Sequence, residues 1–291
     1  MKYQIRHLTR YSYEKPIHNC YNILCMQPRE TSLQKCLSFD LKISPDCTFT
    51  NSYKDYFDNE IVYFSIDKPH KVLEVCSESI ISNQKVSNQN EFFSLPWEAV
   101  REKMVYSQNQ EDFKAYEFVM DSPFIRRGTL FEDFARRIFK AKRPLLDAVL
   151  DFTRYIFKEF EYKSGATNIY TPLEEVLDKQ HGVCQDFTHL SIVCLRSLGI
   201  PSRYVSGYME TQPPPGKEKL QGADATHAWY SVYFPGYGWL DFDPTNGKMV
   251  DERYIVTAIG RDFSDISPLK GVLFGGGKSI LKVEVDVNPI A

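Results

Sequence analysis

The spacing of apolar residues changes along this chain, and that change limits the folds it can adopt. Over residues 1 to about 85, apolar and aromatic residues recur at every second position, beginning with Tyr3 and Ile5, and this period is typical of half-buried β-strands. Charged stretches with apolar residues at helical spacing follow, and beyond them helices and strands alternate. The sequence therefore predicts an α+β fold in three parts, namely a β-rich antiparallel N-terminal domain at 1–85, a helical connecting segment at 86–144 and a core with a C-terminal strand at 145–291.

The composition excludes several classes of partner. Acidic residues outnumber basic residues by 38 to 35, so no overall positive field attracts a polyanion and we expect no nucleic-acid partner. No stretch approaches the roughly 18 apolar residues of a transmembrane helix, so we expect no membrane partner. The N-terminus lacks the apolar segment of a signal peptide, which predicts a cytoplasmic protein.

The seven cysteines are odd in number and form no Cys-x-x-Cys pair, which argues against a disulfide framework and against a cysteine-rich zinc site. Two of them lie on one predicted helix. Cys184 follows Gly182 at the start of this helix, where free backbone N–H groups and the helix dipole favour the thiolate, the nucleophilic form of cysteine. Cys194 lies ten residues later on the apolar stripe of the same helix. We therefore assign Cys194 to the core and Cys184 to chemistry.

A thiol nucleophile benefits from a base, and the base from a group that orients it. His227 opens a predicted strand, and Asp243 ends the next one. A three-residue loop would pair Phe234 with Gly238, and this register puts His227 diagonally opposite Asp243 on one face of the hairpin. A loop of two or four residues would put them on opposite faces, so an odd loop or a bulge is required. Cys184, His227 and Asp243 are therefore candidates for a catalytic triad, although a Cys at a helix start or a His at a strand start can also be an ordinary packing or surface residue.

Other interpretations of these residues stay open at this level. Asp241 is a competing carboxylate two residues before Asp243. His181, Cys184 and His189 could form a metal cluster, but Cys184 and His189 project differently from one helix and no fourth ligand is evident, so we predict no metal and no cofactor. The chain could also be a non-catalytic peptide-binding module.

Several motifs identify a family. The chain resembles the transglutaminase-like superfamily in four segments, which are GVCQDF at 182–187, RSLGIPSRYVSGY at 196–208, HAW at 227–229 and WLDFDPTN at 239–246. Its alternating N-terminus, its turn at 55–59 and its stretch at 259–277 resemble the N-terminal domain and the C-terminal signature of bacterial members. In the turn, Asp58 replaces the usual Gly. The resemblance covers nearly the whole chain.

The resemblance implies a papain-like core, in which a helix with Cys184 packs on an antiparallel sheet that carries His227 and Asp243. It also implies acyl transfer from a peptide or carboxamide carbonyl through a Cys184 thioester, with a peptide or protein as substrate. Hydrolysis by a cysteine protease or amidase ranks first, because the extra domains of animal transglutaminases are not visible in this sequence. Transfer to an amine, as in a protein-glutamine transglutaminase, is the alternative.

The remaining site residues follow less directly. The backbone N–H of Cys184 is the expected first oxyanion donor. Animal transglutaminases use an upstream Trp as a second donor, but no Trp lies between Trp97 and Trp229, so Tyr162 and Gln180 are the candidates. We expect Asp186, Trp229 and Tyr230 to line a substrate groove, although the two aromatic residues could equally belong to the core. The Pro-rich loop 212–219 is a candidate gate for this groove or a passive surface linker.

Overall fold

The computed structural model describes residues 1–85, 94–211 and 226–290. It confirms the predicted α+β fold. The candidate gate at 212–219 lies outside the described residues. In chain order the elements are β1 (Lys2–Leu24), β2 (Gln34–Ser44), β3 (Phe49–Lys54), β4 (Glu60–Ile66), β5 (His70–Asn83), α1 (Trp97–Tyr106), α2 (Gln110–Tyr116), a 3-10 turn (Glu117–Val119), α3 (Thr129–Arg136), α4 (Leu145–Glu159), β6 (Glu161–Tyr162), α5 (Leu173–Lys179), β7 (His181–Gly182), α6 (Cys184–Ser197), β8 (Ser202–Met209), β9 (Thr226–Phe234), β10 (Gly238–Asp243), β11 (Lys248–Met249), β12 (Tyr254–Gly260), α7 (Phe263–Ile266), β13 (Leu269–Gly275) and β14 (Ser279–Ile290).

The long strand β1 organises the N-terminal sheet. Its first half pairs with β5 and β14, and its second half pairs with β4 and β13. β2 and β3 extend this antiparallel sheet to seven strands. Buried and exposed residues alternate along β1 and β5, as the period of two predicts.

The C-terminal strand belongs to the N-terminal sheet and not to the core, to which the predicted division of the chain assigned it. The interval 145–291 places it with the core, but β13 and β14 both pair with β1 of the N-terminal sheet. The alternation of residues 280–287 identifies a strand and a buried face, but it does not identify the strand with which it pairs. Both ends of the described chain therefore build the same sheet.

The helices between the two sheets join the main core. α1 buries Trp97, whose indole N–H donates to the carbonyl of Lys140 at 3.0 Å, and α3 buries Phe131 and Phe134. These side chains belong to the same apolar cluster as α4 and α6. The connecting segment predicted at 86–144 is thus packed onto the core over its described part. None of the helices in the described ranges combines the length and apolar character that a membrane span requires.

The central helix α6 packs on a five-stranded antiparallel sheet with the order β11-β10-β9-β8-β12. Every residue from Asp186 to Arg196 is buried, which is typical of a helix enclosed on all sides. Arg196 is buried among backbone groups and donates to the carbonyl oxygens of Met120, Ser202 and Arg261 at 2.7 to 3.0 Å. These bonds fix the helix against the connecting segment and the sheet.

Asn59 joins the N-terminal sheet to the core sheet. Its amide donates to the carbonyl of Ile259 at 2.8 Å and accepts the Ile259 N–H at 2.9 Å. Asp55 holds the Asn59 side chain and backbone at 2.8 and 2.9 Å. Asp58 has a φ of 61°, which a residue with a side chain adopts at a cost.

We predict that Asn59→Ala lowers the free energy of unfolding by about 2 to 4 kcal/mol, because both buried backbone groups of Ile259 lose their partner. Urea denaturation measures this effect. In the same turn, Asp58→Gly serves as the control and leaves the stability equal or higher, since Gly accepts the left-handed conformation. A loss below 1 kcal/mol for Asn59→Ala would contradict the importance of this link.

Candidate active site

Cys184 is the first residue of α6, and the residues around it fix this helix start. The Asp186 carboxylate accepts the backbone N–H of Val183 at 2.8 Å and the Thr167 hydroxyl at 2.6 Å. A Cβ at Gly182 would lie 2.8 Å from the Asp186 side chain, so Gly permits this approach. The thiol is partly accessible and lies at the positive end of the helix dipole.

The β9–β10 hairpin has the predicted register. Phe234 pairs with Gly238, and Tyr230 pairs with Phe242, so the connecting loop has three residues. The side chain of His227, near the start of β9, consequently reaches Asp243 at the end of β10, with 2.7 Å between Nε2 and Oδ2. Gly207 lies opposite His227 on β8.

The Asp243 carboxylate is completely buried and accepts five hydrogen bonds. Oδ2 accepts from His227, from the Asn246 amide at 2.6 Å and from the Tyr254 hydroxyl at 2.7 Å. Oδ1 accepts the backbone N–H groups of Thr245 and Asn246 at 2.8 and 3.2 Å. Burial by itself raises the pKa of a carboxyl group, but the bonds from His227, Asn246 and Tyr254 outweigh it and hold the pKa of Asp243 below its ordinary value.

His227 is nine-tenths buried and has a second side-chain partner, Cys184. Burial lowers the pKa of the imidazole, but the hydrogen bond to Asp243 and the contact with Cys184 outweigh burial and raise the pKa of His227 to about 10. Since Nε2 donates to Asp243, Nδ1 is the ring nitrogen left for the thiol. The structure therefore brings the three predicted side chains together, with the imidazole between the sulfur and the carboxylate.

The competing carboxylate, Asp241, has other partners. It accepts the indole N–H of Trp229 at 3.1 Å and the hydroxyl of Ser231. Trp229 and Ser231 both lie closer to the hairpin loop than His227 does. Asp241 therefore supports the sheet, and Asp243 is the carboxylate that contacts the imidazole.

The structure corrects the predicted substrate groove. Trp229 and Tyr230 are both completely buried, and the Tyr230 hydroxyl is bonded to Thr153 at 2.6 Å, so both side chains belong to the core and line no open groove. An apolar aromatic residue next to a site has the same sequence signature whether it faces solvent or the interior. Asp186 is also buried, but it borders a cavity of about 300 Å³ that Gln185 lines as well.

The candidate oxyanion donors lie beside the helix start. Tyr162 pairs with Gly182 through the short parallel bridge of β6 and β7. Its side chain is 55% exposed, and partial burial together with the nearby Cys184 and Asp186 raises its pKa. Gln180 ends α5 in the left-handed conformation and is exposed. Donation by either side chain to a substrate stays a prediction.

Of the three residues considered as metal ligands, namely His181, Cys184 and His189, His189 has other partners. His189 accepts the backbone N–H of Phe263 at 3.2 Å and stacks on Phe124. Burial lowers the pKa of His189 to about 4, so it is a neutral packing residue. In the described ranges, no group of three or more His, Cys, Asp or Glu side chains has the arrangement of a metal site.

Two functional candidates are absent from the sequence prediction, Asn246 and Tyr254. Asn246 could have been found from the Asp-Pro-Thr-Asn run, because Asp commonly accepts backbone N–H groups two and three residues later in a turn. Tyr254 belongs to β12, at the far edge of the sheet, and no local signal connects it to Asp243. A Cβ at Gly207 would lie 1.9 Å from the carbonyl oxygen of Ile255 and 2.7 Å from the Trp229 ring, so Gly207 permits the close packing next to His227.

We predict that the stabilisation supplied by His227 is lost at alkaline pH. The folded-state pKa of about 10 lies above the ordinary 6.5, so the contribution of the imidazolium is complete below about pH 6.5 and disappears as the pH rises through 10. The difference in unfolding free energy between the wild type and His227→Gln should therefore narrow from pH 6 to pH 10.5 in urea denaturation. His18→Gln, at an exposed histidine, is the control, and a constant difference for His227→Gln would contradict the prediction.

Comparisons with known proteins agree with this architecture. A family model described as the bacterial transglutaminase-like N-terminal region matches residues 3–82, and one described as the transglutaminase-like superfamily matches residues 132–244. An uncharacterized protein of Mycobacterium tuberculosis is 37% identical over 296 residues, which cover 99% of this chain and 93% of the relative. A protein-glutamine gamma-glutamyltransferase of Pseudomonas aeruginosa is 30% identical over 122 residues, which cover 41% of this chain and 18% of that protein.

A solved structure shares the fold over the whole chain. It is called a "Putative Cysteine Protease", from Cytophaga hutchinsonii, and it superposes with a TM-score of 0.78 at 21% identity, covering 99% of this chain and 90% of that chain. At this identity the likeness concerns the fold alone. Together with the two family models and the full-length relative, it confirms the predicted resemblance, and the chain belongs to the transglutaminase-like superfamily, with the bacterial N-terminal region in front of the core.

Proposed function

We propose that this protein is a cysteine-dependent amide hydrolase, a protease or amidase, with Cys184 as nucleophile, His227 as general acid and base, and Asp243 as the orienting carboxylate. The observation that carries the proposal is the position of His227, which has Cys184 and Asp243 as its two side-chain partners. A thiol, an imidazole and a buried carboxylate in this order are the components of nucleophilic acyl transfer.

The proposed reaction proceeds in two steps. The Cys184 thiolate attacks the carbonyl carbon, the C–N bond breaks, and His227 gives its proton to the leaving amine. Water then attacks the thioester carbon while His227 removes a proton from it, the C–S bond breaks, and the acid is released with the Cys184 thiolate and the protonated imidazole restored. Asp243 holds the imidazole orientation and stabilises its cation throughout, because Nε2–H points at Oδ2.

The charge that develops on the carbonyl oxygen needs donors. The backbone N–H of Cys184 opens α6 and is the first donor in our proposal. For the second donor, Tyr162 is favoured over Gln180, because Tyr162 is close enough to Cys184 for the sulfur to affect its pKa. Its exposed hydroxyl is available to a substrate.

The substrate class that we propose is a peptide or protein with an apolar side chain near the scissile bond. Gln185, the residue after Cys184 in the sequence, lines the cavity, and the wall also contains Phe124, Phe131, Ile169 and Tyr170. Ile169 and Tyr170 are 41% and 80% exposed. This apolar part of the wall accommodates an aromatic or branched aliphatic side chain, while Arg126 and Glu174 also line the cavity.

Water and an amine are the two acyl acceptors that the superfamily uses. We propose water as the acceptor for this chain. We also propose a cytoplasmic location, since all seven cysteines are unpaired, as is typical of a reducing compartment. Product analysis with and without an added primary amine distinguishes the acceptors. A product that incorporates the amine in preference to water would favour the transglutaminase alternative.

The first experiment measures the reactivity of Cys184. Limited iodoacetamide at neutral pH, followed by mass spectrometry, should label Cys184 selectively, since it is the partly exposed thiol that contacts an imidazole. We predict that His227→Ala reduces this labelling at least tenfold. Asn246→Ala should give a smaller reduction, because it removes one of the five hydrogen bonds of Asp243 and leaves the imidazole in place.

The exposed His18 provides the matched control, and His18→Ala should label like the wild type. Even labelling of several cysteines, or labelling of Cys184 that does not depend on His227, would be incompatible with an activated thiolate. The non-catalytic peptide-binding module would then be the better description. Turnover of a peptide mixture that is abolished by Cys184→Ala completes the test.

We predict that the cavity at Gln185 sets side-chain preference. Tyr170→Ala should lower kcat/KM several-fold for peptides with an apolar residue near the cleaved bond and leave iodoacetamide labelling of Cys184 unchanged, because the variant removes a contact with substrate only. Tyr106→Ala, at a tyrosine of similar exposure on α1, is the control. Equal kcat/KM for the two variants would remove the cavity from substrate recognition.

A further inference from the structure

A second cavity lies between the N-terminal region and the core sheet. It has a volume of about 420 Å³ and is bounded by the segment 29–34 on one side and by residues of β8, β10 and β12 on the other. Gln34 fixes that segment by donating to the carbonyl of Val256 and accepting its N–H, both at 2.8 Å, and Arg29 donates its backbone N–H to the same carbonyl. Hydrogen-bonded backbone therefore forms the wall, and the cavity is preformed.

Arg203 is one of the two cationic side chains that line this cavity. Its guanidinium carbon lies 4.2 Å from the centre of the Trp239 ring. Its Nε is buried without a hydrogen-bond partner among residues 1–85, 94–211 and 226–290. Asp241 acts on it only at longer range, since that carboxylate is bonded to Trp229 and Ser231. A buried donor without an acceptor is unfavourable. Because Nε has almost no accessible surface, a ligand in the cavity would accept from the terminal N–H groups of this partly exposed residue.

The chemistry of Arg203 indicates the type of acceptor. A planar guanidinium stacked on an aromatic ring presents its N–H groups in one plane, which matches the two oxygens of a carboxylate or of a phosphate. The Trp239 ring lies against the Arg203 guanidinium. The cavity therefore suits an anionic group rather than a neutral one.

The charge of the wall distinguishes between these two anions. Arg29 is the second cation of the lining, whereas four carboxylates also line the cavity, those of Glu30, Asp241, Asp251 and Glu252. A phosphate dianion would meet this negative charge, and like charges at short range disfavour binding. A single carboxylate on a molecule that is otherwise neutral or cationic satisfies Arg203 with the least repulsion.

We propose that this cavity binds a small molecule through one carboxylate group, which Arg203 holds against Trp239, and that the rest of the ligand is neutral or cationic. The site does not include Cys184 or His227. It does include Tyr254, whose hydroxyl donates to Asp243. A bound ligand would thus border a residue that holds the buried carboxylate, without reaching the nucleophile.

An equilibrium titration of the full wild-type chain, followed by tryptophan emission because Trp239 borders the cavity, tests the proposal. The probe is N-acetylglycine, and N-acetylglycinamide is the neutral probe of matched size. We expect one N-acetylglycine per chain and at least tenfold weaker binding of the amide and of inorganic phosphate. Arg203→Gln should weaken N-acetylglycine binding at least tenfold, whereas Arg126→Gln, an exposed cation at the other cavity, should leave it unchanged.

A variant at the mouth keeps the test independent of the buried arginine. Ser32 is exposed and lines the cavity, so Ser32→Phe reduces the space while Arg203 stays in place, and binding should again fall at least tenfold. Cys184→Ala should bind like the wild type. The proposal is overturned by equal binding of the acid and its amide, by tighter binding of phosphate, by retention of binding in both cavity variants, or by loss of binding in Cys184→Ala.

Discussion

The buried charge of Asp243 is the constraint on which the rest of the site depends. An ionised carboxylate in the interior is unfavourable unless its oxygens are saturated with hydrogen bonds. Here the donors come from β9, from the turn after β10 and from β12. The same five bonds that make the charge acceptable fix the position of the imidazole, so the stability of this region and the geometry of the site have one origin.

The helix α6 supplies the other half of the site, and its position is also fixed from outside. Arg196, the next-to-last residue of the helix, bonds to carbonyl groups of the connecting segment, of β8 and of the residue after β12. Asp186 fixes its first turn. A helix held at both ends presents Cys184 to the sheet with little freedom, which is what a reaction between a sulfur and an imidazole requires.

The N-terminal sheet contributes more than a cover for the core. Asn59 bonds to both backbone groups of Ile259, and Gln34 does the same with Val256, so the edge strand β12 of the core sheet is paired by side chains of the N-terminal region. The cavity around Arg203 exists only because the two regions meet in this way. Tyr254 lies on the same strand, and its hydroxyl donates to Asp243.

The sequence alone was sufficient for the class of fold and for the helix that begins at Cys184, because period and caps are local properties of the chain. For the β9–β10 hairpin it left several loop lengths open, and the structure selected the three-residue loop. The resemblance to the superfamily favoured Asp243 over Asp241, because Asp243 occupies the position after Trp239 that matches the family motif. Only the tertiary structure decided that β13 and β14 join β1, that Trp229 and Tyr230 are buried, and that Tyr254 and Arg203 have the partners described. Those outcomes depend on contacts between residues far apart in the chain, which local patterns do not encode.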